Sequence, residues 1–368
     1  MTASLRWLLV ALVAVAVAAP PTVLRLWPAS GSGLSAAQVA DRVRAAEKLG
    51  WSGEVHTVGS LKVPGTAGFA NLSSLAGGTS DLRVWWRSAT SWRVDRTRSS
   101  GESDLARDDD RVVRWTYESR RAVTTSYSPV RLPDESDLLP PTLAARALSG
   151  ARDDELTRLA PQRIAGHSAV GLRLVPDQAG TTISHVDLWA DEASGLPLRV
   201  AVYAAGSRVP VLTTQASSVH LGAPSASTTR FDFPSGVKVH TSYAIDDAAG
   251  ANAFAPFTMP SSLAGMKRRG DPADFGAVGI YGRGLTDVLV IPLRHQVAHE
   301  LYDQLAQSPA ATTTRSRTEA RLTLRLGPLS VALVFDRTGH FLLAGTVTPQ
   351  KLLTAVPELR EGVGVERR

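Results

Sequence analysis

Over residues 81–128 apolar and charged side chains alternate in short runs broken by turn residues. Leu82, Val84 and Trp86 share one parity, and Arg83 and Arg87 the other. Trp92 and Val94 oppose Arg93 and Asp95, while Val113, Trp115 and Tyr117 oppose Arg114. Successive strand side chains point to opposite faces, so the spacing predicts an antiparallel meander with one wet face and one apolar, tryptophan-rich face. A sheet of this kind either packs on a core or curls around a ligand.

Upstream, residues 35–49 carry Val39, Val43 and Ala46 at helical spacing. Ser35 with Gln38 three positions on makes a capping box, and Gly50 ends the helix. A strand is predicted over 51–57. Residues 59–80 are rich in Gly and Ser yet hold Leu61, Val63, Phe69, Leu72 and Leu75, the composition of a flap that packs on something. After the meander, 139–150 reads as a short helix with Pro141 in its first turn. Strands resume at 162–164, 170–175, 183–190, 196–204 and 209–221, and the run closes at Phe231-Asp232-Phe233-Pro234. The Ala, Gly, Pro and Ser-rich stretch 244–274 reads as a linker. A second module comes after it: strand 285–291, helix 294–307, strands 318–326 and 329–335, a hairpin turn at 336–339, strand 340–347, and a last helix with Thr348 as cap and Pro349 in first position. The end reads as a frayed charged tail.

Composition narrows the chemistry. The chain has 368 residues, room for about two domains. The absence of cysteine removes disulfides, thiolate metal sites, cysteine nucleophiles and a lipid-bearing N-terminal cysteine. A net charge of +6 invites a nucleic-acid reading. Only five of the 40 basic residues are lysine, and the arginines scatter along strands and turns as on a solvated face, so no nucleic-acid partner is expected. At the N-terminus Arg6 precedes an apolar run over 7–19, interrupted by Pro20-Pro21 and ending at Leu24. As a secretory signal it offers a small-x-small site at Ala16-Val17-Ala18. As an anchor it nears the lower limit of a span, about 17 residues. Both readings put the chain beyond Arg25 outside the cytoplasm.

Catalytic motifs are weak. Gly166-His167-Ser168 resembles a nucleophile elbow, but Val170 stands where glycine is needed and a strand comes next, so a turn is the better reading. His295 and His299 sit at i and i+4 on a helix, a metal-binding spacing with no third ligand evident in the sequence; an amphipathic helix is favoured. Asp108-Asp109-Asp110 reads as a hairpin tip rather than a calcium loop. Asp187 and Asp191 flank a turn on a strand whose other residues, Val186 and Leu188, are apolar, which argues against a paired-carboxylate hydrolase. No Walker loop or dinucleotide fingerprint occurs. No enzymatic activity, cofactor or metal is expected.

Two fragments, VWWRSATSWRVD over 84–95 and VDLWADEASGLPLRV over 186–200, set between the leading helix and the closing FDFP, resemble the LolA/LolB/RseB superfamily. The smaller second module resembles the two-domain plan of the MucB/RseB regulators, and LRLGPLSVALVFDRTGHFLLAGTVTPQKL is similar to the tail of actinobacterial LolA-like proteins. The resemblance covers about 34–234. It implies an α+β fold: a curved antiparallel half-barrel wrapped around helices (LolA-like), plus a smaller α+β C-terminal domain. The layout expected is a signal or membrane anchor over 1–28, the half-barrel over 34–236, a linker over 237–274, the second domain over 275–358 and a tail over 359–368. It also implies binding of acyl chains of a lipid or lipoprotein, as carrier or sensor, with a membrane anti-sigma factor as an alternative partner. The ligand-binding concave face expected from alternation is Leu82, Val84, Trp86, Trp92, Val94, Val113, Trp115, Val186, Leu188, Val200 and Val202, with Arg83, Arg87, Arg93 and Arg199 on the other face. Burying a 16-carbon chain is worth on the order of 13 kcal/mol gross.

Overall fold

In the computed structural model the described residues are 33–61, 74–98, 101–128, 131, 133–241, 257–270, 276–315, 320–335, 339–362 and 364–365. The N-terminal apolar segment, the middle of the flap and the centre of the expected linker lie outside them. Among the described residues no helix is long and apolar enough to cross a membrane.

Helix α1, Ala36–Ala45, starts at Ser35 with the expected capping box and buries Val39, Ala40 and Val43. Strand β1, Trp51–Gly59, is followed by the meander β2, Thr79–Ser88, β3, Ser91–Arg98, β4, Gly101–Asp108, β5, Arg111–Thr116, and β6, Arg121–Ser126. A 3-10 turn, Glu135–Leu138, leads into α2, Pro140–Leu148. Then come β7, Leu156–Ile164, β8, His167–Leu174, β9, Ile183–Asp191, β10, Pro197–Ala204, and β11, Leu212–Leu221. A short β12, Val239–Thr241, pairs parallel to β6. These form one twelve-stranded sheet, β12-β6-β5-β4-β3-β2-β1-β11-β10-β9-β8-β7. The stretch Ala165-Gly166 has positive φ at both residues and turns β7 into β8, as the turn reading expects.

The helices lie on one face of this sheet. Val39, Val43, Leu143, Ala144 and Leu148 pack with Leu172, Val186, Leu188, Val200 and Val202 in one buried cluster. A second cluster joins Trp51, Leu82, Val84, Trp92, Val94 and Leu105 to Leu75, Leu138 and Leu139. FDFP forms no strand. It comes after a one-turn helix, Ala226–Thr229. Phe231 and Phe233 cover the opposite face of the meander beside Trp115.

The second unit opens with three short strands, β13, Phe257–Thr258, β14, Ser262–Leu263, and β15, Met266–Lys267. Its main sheet combines β16, Gly279–Arg283, β17, Thr286–Leu293, β18, Ala311–Arg315, β19, Ala320–Leu326, β20, Leu329–Phe335, and β21, His340–Gly345, in the order β16-β17-β21-β20-β19-β18. Helix α3, His295–Ala306, and helix α4, Pro349–Gly362, complete it, and β22, Gly364–Val365, pairs with β13. The fold is α+β, a large open sheet with a separate six-stranded antiparallel sheet. Two expected boundaries shift. Met259, Leu263 and Ala264, in the expected linker, are buried with α4 in the second unit's core, because they are its apolar lid. The expected tail begins inside α4, where Leu359 is buried.

Polar contacts join the two units. Arg283 donates to both oxygens of Glu155 at 2.7 and 2.6 Å, and Arg146 pairs with Asp287 at 2.9 Å. The link between β8 and β9 docks through Thr182 N to Thr346 O at 3.0 Å, and Thr348 N donates back to Gly180 O at 2.8 Å. A cleft of about 520 Å³ lies at this junction, lined by Arg44, Glu47, Arg146 and Arg269 among others. Its guanidiniums are already engaged: Arg44 with Asp41, and Arg146 and Arg269 with Asp287.

Candidate functional site

Residues paired across an antiparallel ladder share a face. Trp86 pairs with Trp92, Val84 with Val94 and Leu82 with Arg96. Val94 then pairs with Leu105, Leu105 with Arg114, and Arg114 with Val123. On the other side Thr57 pairs with both Ser80 and Thr214, Thr214 with Val200, Val200 with Leu188, and Val202 with Val186. Leu82, Val84, Trp86, Trp92, Val94, Val186, Leu188, Val200 and Val202 therefore share the helix-bearing face.

Val113 and Trp115 do not. Arg114 occupies their expected place, and they point to the outer face with Ala106, Ala122 and Phe231. The two-residue turn from Asp108 to Arg111 sets that phase, and apolar residues cover both faces here, so alternation within β5 could not tell one face from the other. Arg83, Arg87 and Arg93 lie on the outer face as expected.

Eight of the nine inner-face residues are buried, Val84 and Leu188 completely. Those of β9 and β10 meet α1 and α2 directly. Trp86 differs: it is half-buried and stacks on Trp92 with ring centroids 5.7 Å apart and planes 3° from parallel. On the same face Arg107 of β4 pairs with Trp92 and, on its other side, with Val112 of β5, which is also half-buried.

One feature of this face has no counterpart among the expected residues. The β3 register Trp92, Val94, Arg96, Arg98 continues an apolar line into two arginines. Arg96 is 1% exposed. Its Nε donates to Ser80 Oγ at 2.9 Å and its Nη2 to the Ser74 carbonyl at 2.9 Å, and Glu135 lies 3.7 Å away. Glu135, on the 3-10 turn and equally buried, accepts from Arg114 Nη1 with both oxygens at 3.0 Å. Arg98 Nε is buried without a hydrogen-bond partner. Burial lowers the Arg96 pKa against the pull of Glu135, and the charges of Arg98 and Arg114 lower it further. Two guanidiniums, of Arg96 and Arg114, thus meet one carboxylate, and the charge of Arg98 acts on Arg96. The next acids, Asp134 and Asp137, are answered by Arg131 at 3.0 and 2.7 Å. By strand rise, Arg96 stands about 13 Å along β3 from Trp92. The signal was present in the sequence, as charge in an apolar parity; its meaning needed the register that brings Arg114 and Glu135 alongside.

The outer face carries an acidic group. Ligand atoms of Asp95, Glu102 and Asp104 lie within 4.8 Å of one another. Arg93 binds Asp95 at 2.6 Å and Asp104 at 2.9 Å. Burial, then the charge of Asp95, push the Asp104 carboxyl up to about 7 against Arg93. Asp187 is bound by Arg173 at 2.6 Å, and Asp191 accepts from Ser194 N at 2.8 Å and Ser194 Oγ at 2.6 Å; both serve structure.

No family model matches the chain, and no curated protein matches it. Among solved structures it is similar to the MucA/MucB complex of Pseudomonas aeruginosa, at 15% identity over 90% of this chain and 99% of that one, TM-score 0.46. It is similar to a further structure of MucB at 15% identity over 92% and 100%, TM-score 0.44. A LolA superfamily protein from Nitrosomonas europaea aligns at 11% identity over 55% of this chain and 100% of that one, TM-score 0.26. All three TM-scores are below 0.5.

Proposed function

We propose that the protein is a non-enzymatic, extracytoplasmic binder of an acylated anionic ligand, a lipid or the acyl end of a lipoprotein, held at the membrane by its N-terminal segment. The observation that carries this reading is the arginine excess on the helix-bearing face: Arg96 and Arg114 share Glu135, and Arg98, next in the β3 register, keeps its Nε buried without a hydrogen-bond partner. A buried charge costs several kcal/mol unless it is paired. A purely structural ion pair would need one guanidinium for Glu135. The excess suits an anionic head group, which two arginines can take in charge-assisted hydrogen bonds. Trp86, only partly buried where it stacks on Trp92, supplies an apolar wall for the attached acyl chain.

The test compares wild type with Arg98→Met in equilibrium binding to delipidated protein, using a fatty acid and its uncharged methyl ester. Binding of the acid should weaken about tenfold, roughly 1.4 kcal/mol, and binding of the ester should not change. Absence of saturable binding, or equal loss for both ligands, would sink the proposal. A second reading, a regulator that grips an extended segment of a membrane partner such as an anti-sigma factor, is favoured by β18: it ends its sheet, is threonine-rich and is largely exposed. An open edge of that kind accepts an added strand.

A further inference from the structure

The pair His295 and His299 acquires a third histidine in the fold. His340 opens β21 and pairs with Leu293, two residues before α3 begins, and with Phe335 on its other side. That places three imidazoles on one surface patch, with ring centroids 4.1 Å apart for His295 and His299, 5.0 Å for His295 and His340, and 6.1 Å for His299 and His340. Phe335 forms the floor, 5.1 Å from both His299 and His340.

We infer that His295, His299 and His340 form a binding site for a divalent transition-metal ion, with solvent in the fourth position. Two details support ligation. His295 Nδ1 and His340 Nε2 are 3.0 Å apart. Bonds of about 2.0–2.1 Å at a tetrahedral zinc separate neighbouring nitrogens by about 3.3 Å, so the two rings need to part by only a few tenths of an ångström. His299 Nδ1 lies 2.9 Å from the His295 carbonyl oxygen. A carbonyl only accepts, so Nδ1 carries the proton and Nε2 keeps its lone pair. Metal-bound histidines are held in their tautomer by this same type of outer contact. His299 is exposed, so its ring is free to turn, and the ligating state requires a rotation that carries Nε2 to the point shared by the other two. In the ligating state His295 carries its proton on Nε2, and the ion takes the place of the proton between His295 and His340. Imidazole donors suit zinc, copper or nickel rather than calcium or magnesium.

The experiment uses the full chain, purified in detergent without a histidine tag and stripped with a chelator. Zn²⁺ is titrated by calorimetry and Co²⁺ by its d–d absorption. One ion per chain is expected, with the cobalt bands of a four-coordinate site. His295→Ala and His299→Ala, both at exposed positions, should each weaken Zn²⁺ binding at least tenfold while circular dichroism and thermal unfolding of the metal-free protein stay unchanged. His340→Gln should do the same to binding. Stoichiometric uptake that survives the His295→Ala, His299→Ala double variant overturns the assignment, as does the absence of a one-to-one site in the wild type.

Discussion

Trp86 and Trp115 carry the same side chain on opposite faces of one meander, and replacing each by alanine separates packing from binding. Trp115 is 4% exposed and lies 6.1 Å from Phe231. A buried tryptophan removes about 150–250 Å² from water, worth about 4–6 kcal/mol at about 25 cal/mol per Å²; measured losses for such truncations run at about 3–5 kcal/mol. Trp86 leaves a minor part of its surface in water, so Trp86→Ala should cost somewhat less, about 3–4 kcal/mol on the same scale. Ligand linkage makes the distinction quantitative. A fatty acid at about 100 times its Kd adds about 2.7 kcal/mol to stability. Trp115→Ala should keep that increment, since its face is not the binding face. Trp86→Ala, with binding weakened about tenfold, should keep only about 1.4 kcal/mol of it at the same ligand concentration. Urea unfolding followed by circular dichroism, with and without the fatty acid, reads all four values. If Trp115→Ala loses the increment and Trp86→Ala retains it, the assignment of faces to roles is wrong.

Asp104 and Glu155 should give opposite pH signatures. The folded-state pKa of Asp104 is raised to about 7, so the native state holds a proton the unfolded chain has released, and this group's contribution falls as pH rises from about 4 to 7; Asp104→Asn should narrow the drop in urea midpoint between pH 5 and pH 8, and an unchanged drop would reject the assignment. For Glu155, burial would raise the pKa, but Arg283 and the backbone N–H groups of Arg152 and Asp177 outweigh it and hold the carboxyl at about 2. Its stabilisation is present above the unfolded value of 4.5 and lost as pH falls toward 2. Arg283→Met should therefore cost about 3–5 kcal/mol at pH 7, with the gap to wild type closing in acid; a gap independent of pH would count against the pairing.

Much of the fold was legible because local rules and tertiary packing agree in it. The Ser35 and Gln38 box, the alternation of β2, β3, β9 and β10, and Pro349 opening α4 all stand where local chemistry puts them. β4 was not legible. Its sequence GESDLARD buries Ser103, Asp104, Leu105 and Ala106 in succession, because helices or loops cover both faces there, so no period-two signal exists. The outward turn of Val113 and Trp115 has the same cause: parity is readable within a strand, and phase between strands is fixed by turns and pairing. The binding side was legible only in outline. Arg96 and Arg98 show as charge in an apolar register, but Glu135 and Arg114 join them only through the ladder. His340 stands 45 residues from His295 and meets it only because β21 pairs beside the start of α3.

The pairing of β1 with β11 has a consequence for how the protein is made. Trp51 faces Leu221 and Gly59 faces Leu212, so one side of β1 waits for a strand about 170 residues later. At synthesis rates of about 5–20 residues per second that wait is roughly 10–30 s. The meander can zip onto the other side of β1 at once, leaving a half-made sheet with an open ladder, the kind of edge on which copies of a nascent chain aggregate. The register slips between Glu54 and Val55 because β11 carries an extra residue, Ser217, and at Gly53 an added Cβ would sit 2.1 Å from the Ser218 carbonyl oxygen, so the backbones there meet too closely for any side chain. The edge of β1 is completed by a bulged partner, and a straight second copy of β1 lacks the extra residue on which that fit depends.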